Sequence, residues 1–235
     1  MNKFHNIGRR LAFFFVSLIA MIGFAQKTDW AQFDRYAADN ARLREKAEKI
    51  EALFFGNSIT DSWATMRPGF FSKNNFAGRG ISGQSTYQFL SRFREDVVNL
   101  SPRMVVINGG TNDIAENTHP YSEDKTFGNI ISMVEIAQAN GIKVILTSVL
   151  PAAGFKWNRA VTDAPEKIEK LNIRLKEYAD AHGIPFVNYH AMLLAPDGRS
   201  MDSNYSKDGV HPNDAGYVLM EEAVLPVIRC YDGNE

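Results

Sequence analysis

A single cysteine, Cys230, stands in 235 residues, which excludes a disulfide framework and a cysteine-rich zinc site. An excess of charge of one sign is also missing. Lysine and arginine number 26 against 27 aspartate and glutamate, a formal net charge of −1. No global field therefore calls for nucleic acid, which would want a basic face. Repeats, low-complexity tracts and Pro/Gly/Ser linkers are absent after residue 26, which argues against several domains. The longest apolar run, Leu11 to Phe24, has about 14 residues and falls short of the roughly 20 that span a bilayer. What is present is 45% hydrophobic and 23% charged, the make-up of one globular domain.

The apolar run has another use. Lys3, Arg9 and Arg10 precede it, and Gly23-Phe24-Ala25 follows with small residues at both ends, just before Gln26. That charged, apolar, small-residue order is a secretory signal peptide. Residues 1–25 are expected to be removed on export to the periplasm or the exterior, leaving a domain of residues 26–235 with no stable membrane insertion. No cysteine sits at the cleavage point, so a lipid anchor is not expected. Cys230, alone in an oxidising compartment, is expected to be buried as a small apolar residue.

Residues 29 to about 51 carry Trp30, Phe33, Tyr36, Ala37 and Leu43 at the spacing of one buried helical face. Five short apolar runs follow: Ile50–Phe55, Asn75–Ala77, Met104–Asn108, Ile142–Val149 and Ile184–Asn188. Helical patterns alternate with them at 85–98, 121–139, 164–181 and 213–228. Asp163, Pro165 and Asn213 mark helix starts, and Gly141 and Gly183 mark helix ends. Strands alternating with helices imply an α/β fold on a parallel sheet, because parallel neighbours need crossovers. Such sheets carry their sites beyond the carboxyl ends of the strands.

Four loops carry chemistry. Gly56-Asn57-Ser58-Ile59-Thr60 follows the first strand, where a serine hydroxyl can be exposed beside backbone N–H groups, or can merely cap a helix. It is neither a G-x-S-x-G elbow nor a phosphate loop. Gly78-Arg79-Gly80-Ile81-Ser82-Gly83 follows the second strand, and its glycines suit a tight turn or close approach to a ligand. Asn112 follows the third, and its amide can meet developing negative charge or bond its own backbone. Asp208-Gly209-Val210-His211 comes after the last. A carboxylate three residues before a histidine can hold the imidazole for proton transfer, shape a turn, or bind metal. His182 and His190 lack an acid at that offset; Glu116 stands three residues before His119, but His119 reads as a loop residue and is assigned no role.

Taken together, the four loops resemble the SGNH hydrolase family, the GDSL-type esterases and acylhydrolases. The resemblance covers about Leu53 to Gly216, with all four blocks in order. It implies a single-domain three-layer α/β/α sandwich on a five-stranded parallel sheet in flavodoxin-like order. It also implies Ser58 as nucleophile, His211 as general base and Asp208 as its orienting acid. The N–H groups of Ser58 and Gly83 and the Asn112 side chain would form the oxyanion hole, with Gly80 a weaker claimant than Gly83. No cofactor or metal is implied. Asn57 stands where the family usually has aspartate. It keeps the shape and one acceptor but loses the charge, and activity is expected to survive because that aspartate is outside the triad.

The expected reaction is hydrolysis of short acyl esters, acetyl first, on carbohydrate or a small molecule, with Trp157 stacking on a sugar ring or packing with Phe155 against the sheet. Other readings are a lysophospholipase or fatty-acyl esterase, a silent carbohydrate-binding relative, and a flavodoxin-like nucleotide binder that would lack any phosphate loop.

Overall fold

The computed structural model describes residues 29–231, and the expected signal peptide lies outside the described residues. Residues 31–231 form one compact unit. Its five strands are β1 (Ala52–Gly56), β2 (Phe76–Gly80), β3 (Met104–Asn108), β4 (Lys143–Thr147) and β5 (Phe186–Val187). They pair in parallel in the order β2-β1-β3-β4-β5, the flavodoxin-like order. Nine α-helices occur among the described residues: α1 (Ala37–Glu45), α2 (Ser58–Met66), α3 (Pro68–Lys73), α4 (Thr86–Asp96), α5 (Thr111–Ile114), α6 (Glu123–Ala139), α7 (Ala164–Ala181), α8 (Tyr189–Leu193) and α9 (Asp214–Cys230).

The sheet is covered on both faces, which is why β1 and β3 are buried end to end and read as unbroken apolar runs. Successive side chains point to opposite faces. Leu53, Phe55, Val105 and Ile107 enter a core with α1, α4, α6 and α7, whereas Phe54, Met104 and Val106 enter one with α2, α3, α8 and α9. Phe55 meets Phe89 and Phe93 edge-on at 5.4 and 5.2 Å, and Phe54 meets Trp63 at 5.1 Å, so each core is anchored by aromatic contacts from β1.

The expected long N-terminal helix is shorter. A 3₁₀ turn at Phe33–Arg35 precedes α1, and Trp30 and Phe33 are exposed while Ala31, Asn40 and Leu43 are buried. Left-handed backbone at Gln32 breaks the helix before the expected apolar face can form. Cys230 is exposed, against expectation. The buried stripe of α9 runs through Met220, Val224 and Ile228 at four-residue spacing, and Cys230 lies more than half a turn away from it.

β2 runs three residues further than expected, through Gly78–Gly80, because those residues pair with Phe54–Gly56. Three helices were not anticipated, α3, α5 and α8, and α2 was anticipated only as a helix start beside Ser58. The Ser-Ile-Thr-Asp-Ser start of α2 has weak helix propensity, and tertiary packing of Ile59 and Trp63 decides it. The expected helix starts at Asp163 and Asn213 are where α7 and α9 begin, with Asn213 Oδ1 accepting the Gly216 N–H at 3.0 Å.

Candidate active site

The register sets the site. Gly56 of β1 lies opposite both Gly80 of β2 and Asn108 of β3, so three strands end level with one another. Ser58, Gly83 and Asn112 stand two, three and four residues beyond those ends and reach the same cleft. β1 is the strand flanked by β2 and β3, so the cleft opens where the strand order reverses.

Ser58 begins α2. The cap is not Ser58 but Asn57, whose Oδ1 accepts the Ile59 N–H at 2.9 Å and leaves the serine hydroxyl free. Ser58 Oγ lies 2.8 Å from His211 Nε2, and His211 Nδ1 lies 2.7 Å from Asp208 Oδ2. The other Asp208 oxygen accepts the N–H groups of Val210 at 2.9 Å and His211 at 2.8 Å. Partial burial works to raise the Asp208 pKa, but the hydrogen bonds from the His211 and Val210 backbone and the His211 ring outweigh it. They hold the carboxyl well below its ordinary range. Serine, imidazole and carboxylate are therefore joined in the order that proton transfer from the hydroxyl requires.

The His211 loop is held by residues that sequence reasoning did not single out. Ser206 Oγ donates to the His211 carbonyl at 2.7 Å and accepts the Gly209 N–H at 3.0 Å, closing the tight turn. α9, which leaves this loop, is strapped to α2. Arg67 of the α2 end grips both oxygens of Glu221 at 2.9 Å, and Tyr217 donates to the Ile59 carbonyl at 2.9 Å. A change in one helix therefore moves its partner, which keeps Ser58 and His211 at a fixed distance.

Asn112 is buried, and its Nδ2 donates one hydrogen to the Gln84 carbonyl at 2.9 Å. An amide nitrogen carries two hydrogens, so one remains for the cleft. The neighbouring Asp113 carboxylate accepts the Thr86 N–H at 3.0 Å and the Thr86 hydroxyl at 2.6 Å. Burial pushes the Asp113 carboxyl up, against those bonds. Adjacent residues on α5 thus clasp the turn after β2 on either side of Ser85. The Asn112-Asp113 pair was visible in the sequence, but nothing in one sequence ties it to Gln84 and Thr86.

Gly83 has a φ of +80° and lines the cleft with no neighbour near its missing Cβ. Gly80 lies elsewhere: a Cβ there would sit 2.2 Å from the Asp61 nitrogen, so it allows α2 to rest on β2. Trp157 lines the cleft half-exposed, its ring centroid 6.4 Å from that of His211, while Phe155 is buried beneath it. The cleft, about 470 Å³, is completed by Ser62, Ser82 and Asn117. Of the other histidines, His182 ends α7 and His190 sits in α8. His119 lies in the loop after α5, with Nε2 3.8 Å from Asp113 Oδ1.

The chain is similar to known proteins. The chain is 54% identical to a GDSL-like lipase from Bacteroides thetaiotaomicron over 86% of its length and all of that chain, with a TM-score of 0.83. It is 53% identical to a Bacteroides fragilis protein described as an acylhydrolase, over 87% of its length and 99% of that chain, with a TM-score of 0.84. It is 23% identical to the acetylxylan esterase of Xylanibacter ruminicola, over 78% of this chain and 44% of that protein. The chain spans a little under half the length of the first curated relatives it matches. The model of the GDSL-like Lipase/Acylhydrolase family matches residues 54–219, which runs from the middle of β1 into α9 and so takes in the serine, the cleft and the Asp-His turn. With fold, strand-end loops and sequence in agreement, the chain belongs to the GDSL-like lipase/acylhydrolase family of hydrolases.

Proposed function

We propose that this hydrolase is a serine esterase that removes short acyl groups, acetyl first, from carbohydrate. The observation that carries the reading is the line from Ser58 Oγ through the His211 ring to Asp208, with contacts of 2.8 and 2.7 Å. Ser58 Oγ attacks the ester carbonyl while His211 Nε2 takes its proton. The oxyanion settles against the N–H groups of Ser58 and Gly83 and the free Asn112 amide hydrogen. His211 returns the proton to the leaving alcohol, and water repeats the sequence on the acyl-enzyme. Asp208 keeps the imidazole in the required tautomer.

The cleft wall supports a short acyl group. Its lining is hydroxyls, amides and a histidine, and Trp157 is the one large apolar side chain there. Each buried CH₂ of an acyl chain is worth about 0.8 kcal/mol only if an apolar wall receives it, and among the described residues of the cleft Trp157 is the one such surface, too little for a fatty-acyl chain. The acetylxylan esterase relative points the same way, toward acetylated sugar, with Trp157 as the ring-binding surface. Residues 1–25 are proposed to direct export of a 26–235 domain, which predicts Gln26 at the amino terminus of the exported protein.

The test is a p-nitrophenyl ester series from acetate to dodecanoate, with wild type and Ser58→Ala in parallel. Turnover falling with chain length and lost in the variant is expected. Wild-type turnover retained by Ser58→Ala would overturn the nucleophile. No turnover together with no labelling of Ser58 by an organophosphonate would favour a silent carbohydrate-binding protein.

A further inference from the structure

Trp157 is placed where a core residue would not be. Phe155, two residues earlier, is buried, and its ring meets that of Trp157 at 5.2 Å; Trp157 itself is 50% exposed. The exposed half of the indole lines the cleft beside Ser58 and His211, where a ligand can reach it. Its edge is nonetheless fixed, because Trp157 Nε1 donates to Asn117 Oδ1 at 2.8 Å.

Asn117 is in turn referenced to the reacting centre. Its backbone N–H donates to the Asn112 carbonyl at 3.0 Å, and its Nδ2 donates to the Gly83 carbonyl at 3.3 Å. One exposed asparagine therefore joins the indole to both segments that carry the proposed oxyanion donors. The side of the cleft also follows from the chemistry. His211 must protonate the departing oxygen, so the alcohol half of the ester lies beside His211. Trp157 is the aromatic neighbour of that ring, at 6.4 Å. That neighbourhood is the reason for assigning the indole to the alcohol side of the cleft.

We propose that Asn117 is a positioning residue, holding the Trp157 indole as a platform for the pyranose ring whose ester is cleaved; this rests on the esterase reading for Ser58. The apolar C–H face of the sugar lies on the indole, and its hydroxyls meet the polar rim of Ser62 and Ser82. Holding two aromatic torsions before binding spares their ordering cost when the sugar arrives. A planar, poorly hydrated p-nitrophenyl leaving group needs less of that alignment than a puckered ring that must present one particular oxygen to His211.

The experiment compares methyl 2-O-acetyl-β-xylopyranoside, which keeps its other ring hydroxyls free, with p-nitrophenyl acetate in wild type, Asn117→Ala and Asn117→Asp. In parallel, the Ser58→Ala variant, with and without Asn117→Ala, is titrated with the same xyloside and read by tryptophan fluorescence. Asn117→Ala is expected to raise KM for the xyloside about tenfold, several times more than for p-nitrophenyl acetate. Asn117→Asp keeps the acceptor for the indole N–H but gives up the Nδ2 bond to the Gly83 carbonyl, so it is expected to recover most of the KM loss on the xyloside while kcat falls on both esters, which a general loosening of the loop would not allow. Equal KM effects of Asn117→Ala on both esters, or no recovery of the xyloside KM by aspartate, would overturn the platform. Ester turnover without any xyloside hydrolysis or fluorescence response would overturn it too, and leave the esterase standing. Asn117-dependent xyloside binding in a protein that cleaves neither ester would support the platform and refute the esterase.

Discussion

Arg92 Nη2 donates to the carbonyl of Gly56, 3.0 Å away, from a side chain that is wholly buried. The same nitrogen reaches the Arg79 carbonyl at 3.0 Å, Nε reaches Gln84 Oε1 at 2.7 Å, and Nη1 pairs with Asp96 at 2.8 Å. One guanidinium thus ties the ends of β1 and β2 to the turn that carries Gly83. Burial works against its charge, and the Asp96 carboxylate works for it.

Removing this arginine should be costly because it strands its partner. Asp96 is buried and would keep only the Asn40 amide, at 2.7 Å. Arg92→Met is expected to lose about 3–5 kcal/mol in urea unfolding, and the Arg92→Met/Asp96→Leu pair to lose less than the single variant. A double variant that is less stable than the single one would contradict a stranded charge as the cause.

The depressed Asp208 pKa makes a signed prediction. A carboxyl that ionises more readily folded than unfolded adds stability above its unfolded value, near pH 4, and loses it as the pH falls toward the folded value. Asp208→Asn should therefore lower the urea midpoint more at about pH 6 than at about pH 3. With 43% of the side chain exposed, solvent screening keeps the stability difference small. The catalytic effect should not be small. Loss of the tautomer-fixing carboxylate is expected to cut kcat by about 10⁴ in hydrolysis of p-nitrophenyl acetate.

Gly80 and Gly83 should respond differently to alanine. At Gly80 the new Cβ meets the Asp61 nitrogen at 2.2 Å and the Asn57 carbonyl at 2.6 Å, backbone atoms that cannot swing aside. α2 must shift, at about 1–3 kcal/mol, and Ser58 shifts with it. At Gly83 the space is open and the cost is the left-handed φ of +80°, roughly 1–2 kcal/mol for an L-residue. Gly80→Ala is expected to lower the melting temperature more, and kcat should fall in both. A more stable Gly80→Ala would mean that α2 does not rest on β2 as described.

Asn57 carries one used and one unused group. Its Oδ1 caps α2, whereas Nδ2 is buried without a hydrogen-bond partner. Asn57→Ala should cost about 1 kcal/mol through loss of the cap. Asn57→Asp keeps the acceptor, removes the orphaned donor and puts negative charge at the helix start, where the dipole favours it. That gain offsets the burial of a charge, so the aspartate variant is expected to lie within about 1 kcal/mol of wild type and to keep its esterase turnover. Urea midpoints and p-nitrophenyl acetate rates measure both.

Much of this was legible in the chain itself. The apolar runs of β1, β3 and β4 are buried on both faces and so carry the plainest signal a strand can have. The loops carrying Ser58, Gly83 and Asn112 could be placed at strand ends because a parallel sheet leaves its functional loops there. Asp208 and His211 are three residues apart, and a local turn can be read locally. The sequence also carried the family's four blocks in order, and with them the expected fold.

What the tertiary structure decided has a common cause: contacts between segments far apart in sequence. The 3₁₀ turn before α1, the exposure of Cys230 and the helix at Ser58–Met66 depend on which face of each segment meets the sheet. Ser58 and His211 are 153 residues apart, and their 2.8 Å separation is maintained by the straps between α2 and α9. The Asn117–Trp157 pair spans 40 residues between two loops. Residue type and spacing determine the strands, the long helices and the chemistry each loop can offer, because those are properties of short stretches of chain. Register, packing and burial determine which loops share a cleft, because they exist only once the sheet has closed its two cores.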